Sequence, residues 1–363
     1  MLATVAEKCL PDYLLIIANS GRMLAELAYK ADYKVIVIDL FADQDTLAIA
    51  EQVCRVESLA LPEVRSAIEL LQLYFKIQLV VYGSGLEGQQ STLIWLAKNF
   101  QLIGNKPRAF ERFRDKKDFF KQLNEFSIQF PESRFLPPND TSRWLIKPID
   151  HVGGIGIRES RLGANTNEYY QRFCQGQVGS VLFCADGQRV STVGFHRQWP
   201  VNQDDFAFAG VIRDQILLET EQNRVTGWLE KLVGHYCLQG LGSLDFIWDG
   251  RQCYFLEINL RPPVSLMLYP ELDLMGAHIS GQLPTQLKDK SIRAMQVIYA
   301  MQLSVVKSWV EWPEWSFDRP KNNSCIQAGQ PICSIMAQGK TVQQTLIQLS
   351  DRQKIIENTI LNR

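Results

Sequence analysis

Apolar and polar positions along this chain keep two different rhythms. Over residues 13–104, short wholly apolar runs alternate with stretches of helical period. Tyr13–Ala18 reads as a buried strand, Arg22–Lys30 as a helix opened by Asn19-Ser20-Gly21, and Lys34–Asp39 as a second strand. Glu63–Tyr74 is helical in period, Leu79–Tyr82 is a strand, Gln90–Asn99 a helix and Gln101–Ile103 a short strand. That order predicts a parallel sheet wound right-handedly. Ligands of such sheets sit at the carboxyl ends of the strands, which carry Asn19–Gly21, Asp39 and Gly83–Gly88. Ser20, Ser84 and Glu87 are therefore candidate substrate contacts. Gly83–Gly88 fits GxGxxG, but it follows a late strand, so it reads as a turn facing a cleft and not as a dinucleotide fingerprint.

From about residue 105 the texture changes. Arg108–Phe126 predicts one basic amphipathic helix containing Arg114-Asp115-Lys116-Lys117. Pro131, Pro137 and Pro138 mark an extended connection to a strand at Arg143–Lys147. A glycine-rich loop at Asp150–Gly156 then leads to a returning strand at Ile155–Arg158. Arg189–His196 reads as a strand, Asn223–Tyr236 as a helix, Ala294–Val306 as one element, Gly329–Ala337 as a strand and Thr341–Glu357 as a closing helix. Trp309, Trp312 and Trp315 fit packing of the last lobe on the body.

The clearest period-two pattern lies in residues 241–263. Two strands, Ser243–Trp248 and Gln252–Leu260, meet at Asp249-Gly250. Glu257, Asn259 and Arg261 alternate with Leu256, Ile258 and Leu260, which separates a polar face from an aliphatic one. A three-residue loop would pair Asp245 with Phe255 and leave Glu257 a diagonal neighbour, roughly 7–8 Å away between α-carbons. Asp245, Glu257 and Asn259 offer only oxygen, a donor set for Mg²⁺ or Mn²⁺ rather than zinc.

Composition narrows the function classes. A chain of 363 residues holds two or three domains. The formal charge of −1 gives no basic stripe for nucleic acid. Eight cysteines without a CxxC pair and four scattered histidines point to a reducing compartment and away from a zinc site. The apolar run near the start is about six residues, a strand rather than a signal peptide or span. A cytoplasmic protein with no membrane contact is expected.

A second phosphate element is Lys147-Pro-Ile-Asp-His-Val-Gly-Gly-Ile-Gly-Ile157. A lysine ends a strand, and Gly153, Gly154 and Gly156 let backbone amides approach phosphate oxygens. No GK[ST] precedes a helix, so this is a strand–loop–strand flap and not a Walker A loop. His151 within the loop is a further phosphate candidate.

Taken together, an Asp-Lys pair in a helix, KPxxxxGGxG about thirty residues later and D-x11-E-x-N-x-R near residue 250 resemble the ATP-grasp superfamily. The resemblance covers roughly residues 13–280. In wording it is similar to the carbamoyl-phosphate-synthase-like and pyrrolysine-biosynthesis-like ligases, and to the ligases of methanofuran and methanopterin cofactors. It implies an α/β fold: a Rossmann-like pre-ATP-grasp domain at 1–104, an ATP-grasp small lobe with the flap at 105–175, and a large lobe with the metal site and a C-terminal extension at 176–363.

The resemblance also implies residue roles. Lys116, with Lys117 as the other claimant, and Lys147 would contact ATP phosphates. Gln171-Arg172-Phe173-Cys174 would be the hinge whose backbone pairs with adenine, Gln171 standing where relatives have an acid. Asp245, Glu257 and Asn259 would hold Mg²⁺ or Mn²⁺. Arg261 and Arg213 would serve catalysis, and His196 and Arg197 would face the acyl-phosphate site. The implied reaction is ATP-dependent ligation of a small-molecule carboxylate and an amine, possible partners being those substrates and a second copy of the chain. The alternatives are a biotin-carboxylase-like enzyme forming carboxyphosphate and a non-catalytic nucleotide-binding module.

Overall fold

The computed structural model describes residues 13–361, apart from 151–152, 161–162, 203–205, 215, 282–288 and 290. In the first third of the chain, β1 (Tyr13–Ile17), α1 (Arg22–Lys30), β2 (Val35–Asp39), α2 (Gln44–Ile49), β3 (Gln52–Arg55), α3 (Leu61–Leu71), β4 (Ile77–Tyr82), α4 (Gln90–Asn99) and β5 (Gln101–Ile103) follow in turn. Their strands form an all-parallel sheet of order β3-β2-β1-β4-β5. Both faces of β1, β2 and β4 are covered, and for that reason these strands read as unbroken apolar runs. α2 and β3 escape the sequence pattern: both are short, and β3 is an edge strand with exposed ends and half-buried middle residues.

The expected single helix over 108–126 is two helices, α5 (Pro107–Arg114) and α6 (Lys116–Glu125). Asp115 breaks them, because its side chain accepts from the Asp118 amide at 3.1 Å and caps α6. Lys116 is thereby the first residue of a new helix.

A small antiparallel sheet of order β6-β9-β7-β8 follows, from β6 (Ser133–Arg134), β7 (Trp144–Pro148), β8 (Arg158–Glu159) and β9 (Glu168–Arg172). The returning strand starts later than expected, at Arg158 and not Ile155, because Gly153, Gly154 and Gly156 all take positive φ and cannot extend it. His151 lies outside the described residues.

The rest of the chain builds an eight-stranded sheet. Its first part comprises β10 (Gln177–Asp186), β11 (Val190–Pro200), β12 (Phe208–Arg213), α7 (Glu219–Tyr236), β13 (Gln239–Trp248) and β14 (Cys253–Asn259). A 3₁₀ turn (Val264–Leu268) and α8 (Leu274–Ser280) lead on to β15 (Ile292–Tyr299), β16 (Ser304–Val305), β17 (Ser316–Phe317), β18 (Cys325–Ile326), β19 (Pro331–Gly339) and α9 (Val342–Leu361). The sheet order is β14-β13-β10-β11-β12-β15-β19-β17, and β16 pairs with β18 apart from it. The expected single element at 294–306 is thus two strands in different sheets.

One face of the large sheet, through Val181, Phe183, Leu244, Phe246 and Phe255, packs on Trp228, Leu229 and Leu232 of α7 and on Phe119 of α6. The other face carries Leu182, Val211 and Leu241 under Leu266, Leu268, Tyr269 and Leu274. The polar positions of these strands share that second face.

Candidate active site

Pairing across the large sheet lines up five polar residues. Glu257 stands opposite Asp245, Asp245 opposite Ser180, Ser180 opposite His196, and His196 opposite Arg213. Residues opposite one another share a face, so this row runs over β14, β13, β10, β11 and β12. The register differs from the expected one. The β13–β14 turn is longer, Phe246 pairs with Phe255, and a β-bulge beyond that pair brings Glu257 directly opposite Asp245. The longer turn sets Phe255 opposite Phe246 in the core, and the bulge makes the two carboxylates cross-strand neighbours rather than diagonal ones.

The Asn259 amide nitrogen donates to Asp245 at 3.1 Å and to the Ser243 hydroxyl at 3.3 Å. Burial lifts Asp245 well above the usual carboxylate range, and Glu257 beside it adds to the rise through its charge and a hydrogen bond; Arg261 and Asn259 oppose. Two carboxyls so placed share either a proton or a cation. The donor set of two carboxylates and an amide oxygen fits a hard divalent cation and leaves room for phosphate oxygens. Among the described residues, no group of three or more His, Cys, Asp or Glu is arranged to hold a metal by itself.

Both predicted lysines reach this corner. Lys147, on β7, is 5 % exposed and donates to the Gln171 side-chain oxygen at 3.2 Å. Lys116 lies among charges: burial pushes its ammonium down to about 8, Glu257 and Asp150 raise it, and Lys147 lowers it further. Lys117 is exposed, with its ammonium 5.3 Å from the centre of the Phe135 ring. The two adjacent lysines therefore have different surroundings, and Lys116 is the one beside Glu257.

In the hinge segment, the Arg172 amide donates to the Glu132 carbonyl and the Phe173 amide to the Arg143 carbonyl, each at 2.8 Å. The Arg172 guanidinium stacks over Trp144 and Arg143 stacks over Phe173. Gly154 is docked on the 206–208 segment: a β-carbon on it would lie 1.8 Å from the Phe206 carbonyl oxygen. The Phe208 amide donates to the Gly153 carbonyl at 2.9 Å, while Gly156 sits against Pro148.

Arg261 leaves the hairpin toward the N-terminal sheet. Its Nε donates to Glu87, whose other oxygen accepts from the Gly85 amide at 2.7 Å. Ser84 is half-buried on the same turn, and its carbonyl accepts from the Asn19 amide. Ser20 donates to Asp318 at 3.3 Å instead of standing open. His196 is fully buried, with Nε2 2.7 Å from the Tyr269 hydroxyl and Nδ1 3.3 Å from the Ser180 hydroxyl; burial, aided by Arg213, holds its pKa down to about 3. Arg197 pairs with Asp214 at 3.1 Å, and Arg213 with Glu271 at 3.3 Å.

Residues 113–265 match the family model of the ATP-grasp domain. The chain carries an ATP-grasp domain. The matched ATP-grasp segment takes in Lys116, Lys147, the flap, the hinge, Asp245, Glu257, Asn259 and Arg261. A curated relative, an uncharacterised protein of Methanocaldococcus jannaschii, is 20% identical over 256 residues, which are 65% of this chain and 63% of that one. The chain thus spans less than two thirds of that relative's length.

Solved structures extend the fold beyond the matched segment. Biotin carboxylase from Campylobacter jejuni, in a β,γ-ATP complex, superposes with a TM-score of 0.76 at 16% identity, over 97% of this chain and 92% of the other. N5-carboxyaminoimidazole synthetase from Staphylococcus aureus gives 0.70 at 16% identity, over 94% and 97%. At such identities the likeness is one of fold: a parallel N-terminal sheet followed by the two antiparallel sheets of the ATP-grasp architecture.

Sequence reasoning missed four residues of the site. Tyr169 is directly opposite Lys147 and hydrogen-bonds to it; burial raises its phenol, and Glu257 adds to the rise. Its position two residues before Gln171 on the same strand is a legible signal, since period two places both on the face of Lys147. Gln198 donates to Asp245 at 3.5 Å, and Ser180 and Tyr269 flank His196. Gln198 and Ser180 emerge only from strand register, and Tyr269 only from the packing of the segment after the 3₁₀ turn on the sheet.

Proposed function

We propose that this chain is an ATP-dependent carboxylate–amine ligase that activates a small-molecule carboxylate as an acyl phosphate. The observation that carries the reading is convergence. Lys116 and Lys147 meet the Asp245–Glu257 pair, and Arg261 leads from that corner to the edge of the N-terminal sheet through Glu87.

In this reading Lys116 and Lys147 grip phosphate oxygens of ATP, with Gln171 and Tyr169 fixing Lys147 in place. Asp245, Glu257 and Asn259 hold Mg²⁺ or Mn²⁺, which neutralises phosphate charge when bound. The base edge falls to the Arg172 carbonyl and the Cys174 amide, because the amides of Arg172 and Phe173 already have partners. Glu87 orients Arg261 by its Nε, so that the terminal nitrogens face the transferring phosphoryl group. His196, neutral and bonded at both ring nitrogens, serves as a rigid support between Ser180 and Arg213 and not as a proton donor. The Gly153–Gly156 flap excludes water from the reacting phosphoryl group.

A screen of acid and amine pairs for ADP release, with and without bicarbonate, tests the proposal. It expects ADP only where both an acid and an amine are present, and none from Asp245→Asn. ADP release on bicarbonate without an organic acid would replace it with carboxyphosphate chemistry. Nucleotide binding with no ADP from any pair would make the chain a binding module.

A further inference from the structure

Arg22 opens α1 at the carboxyl end of the N-terminal sheet and is 1 % exposed. Its guanidinium lies 2.9 Å from Glu26, 3.0 Å from Asp318 and 3.8 Å from Asp45. Asp318 comes from the far end of the chain, just after β17, and the segment around it crosses the edge of the N-terminal sheet. The amides of Asp318 and Arg319 donate to Asp45 at 2.8 and 3.0 Å. The Gln44 amide donates to the Arg319 carbonyl at 2.8 Å, and the Gln44 side chain donates to the Pro320 carbonyl at 2.7 Å. Residues 316–322 thus form a strap fastened to α1, α2 and the Ser20 loop.

The carboxylates under the strap are served unequally. Asp39 accepts from the Gly21 and Ala42 amides, Asp45 from the two strap amides, and Asp318 from Arg22 and Ser20. Asp43 stands at the N-cap of α2 but makes no capping bond, and it is 6 % exposed. One turn on, Thr46 is fully buried with its hydroxyl unpartnered among the described residues.

The charged and titratable groups facing Asp43 come from five elements. α1 gives Arg22 and Glu26, the latter also paired with Lys30; β2 gives Asp39 and α2 gives Asp45. The strap gives Asp318, with Arg319 tied to the Ser316 and Pro313 carbonyls and Lys321 acting on Asp39. β19 gives the Cys333 thiol, which burial raises so that it stays protonated. One buried cation, Arg22, therefore already answers Glu26, Asp45 and Asp318. Burial and the charges of Asp318, Asp45 and Asp39 push Asp43 up to about 8, with Arg22 opposing.

We propose that the strap is a proton-linked latch: a proton on Asp43 holds residues 316–322 against α1 and α2, and its loss loosens the strap from the sheet edge that carries Ser20. A carboxyl raised in the latched state stabilises that state fully at pH values below its ordinary range. The stabilisation drains away as pH rises and levels off above about 8. The latch holds whether or not the chain is a ligase, since none of its residues belongs to the nucleotide corner.

Hydrogen–deuterium exchange of the peptide spanning residues 313–322, expressed as protection factors from pH 5 to 9, reads the latch directly. Wild-type protection at the Asp318 and Arg319 amides is expected to fall about tenfold or more between pH 5 and 8, then level, while β13 and β14 stay protected. Asp43→Asn, neutral at every pH, is expected to lose most of that fall, the buried Asp39 and Asp45, which are also raised, leaving a smaller slope. Asp43→Ser, also neutral and able to cap a helix, takes its place if the Asn variant folds poorly. A flat wild-type profile, or a neutral variant with the wild-type slope, overturns the latch.

Discussion

Asp245 cannot hold a full charge where it sits without help. It is opposite Glu257 across one strand pair, and the nearby Arg261 and Asn259 only partly compensate. Burial and the charge of Glu257 therefore favour a proton on the ion-free pair, and a cation held there as proposed would favour its release. Calorimetric titration with Mg²⁺ and a non-hydrolysable ATP analogue at pH 7, in buffers of different ionisation enthalpy, should show net proton release. Asp245→Asn should release markedly less and lose most turnover while keeping its fold, because its side chain lies on the polar face of the hairpin. Equal proton release in the variant would remove Asp245 from the proposed metal site. At this scale the sequence was informative about residue types and silent about surroundings. Lys116 and Lys117 read alike in a helix; only the fold puts one beside Glu257 and the other in solvent.

Elements with strong hydrophobic contrast were legible, and those whose form depends on a single backbone residue were not. α1 and α4 end where periodicity says and β1 one residue earlier, since all three rely on buried apolar faces. The α5–α6 break rests on one capping aspartate, and the β13–β14 register on one bulge; neither disturbs the apolar pattern. The flap belongs to the same class. Gly154 has φ +78° and no room for a β-carbon beside the Phe206 carbonyl, whereas the nearest atom to a β-carbon on Gly153 would be 3.9 Å away. Gly154→Ala should displace the flap and lower kcat on the order of a hundredfold, with little change in adenosine affinity. Gly153→Ala, which carries only left-handed backbone strain of roughly 1–2 kcal/mol, should stay much closer to wild type. Equal kinetic losses in the two variants would mean that the flap does not work through its seat on 206–208.

For the whole molecule, a parallel sheet before about residue 105 and a different architecture after it followed from the change of rhythm, but the contacts between them did not. The Arg261–Glu87 ion pair joins residues 174 positions apart, and Arg22–Asp318 joins residues 296 apart. Charged residues at such separations leave no local signature, so the sequence named Arg261, Glu87 and Ser20 without showing which would meet. Their meeting is what makes a ligase geometry coherent. Arg261 joins the Asp245–Glu257 corner of the large sheet to the Glu87 turn at the carboxyl ends of the parallel strands, and the proposed phosphorylation of a bound carboxylate requires that junction. Transfer of oxygen label tests that arrangement most directly. With the acid–amine pair that supports ADP release, the acid is supplied with ¹⁸O in its carboxylate and the released phosphate is analysed by mass spectrometry. The account predicts one ¹⁸O per phosphate, carried over when the amine displaces the acyl phosphate; label that stays wholly with the organic product and never reaches phosphate would contradict it.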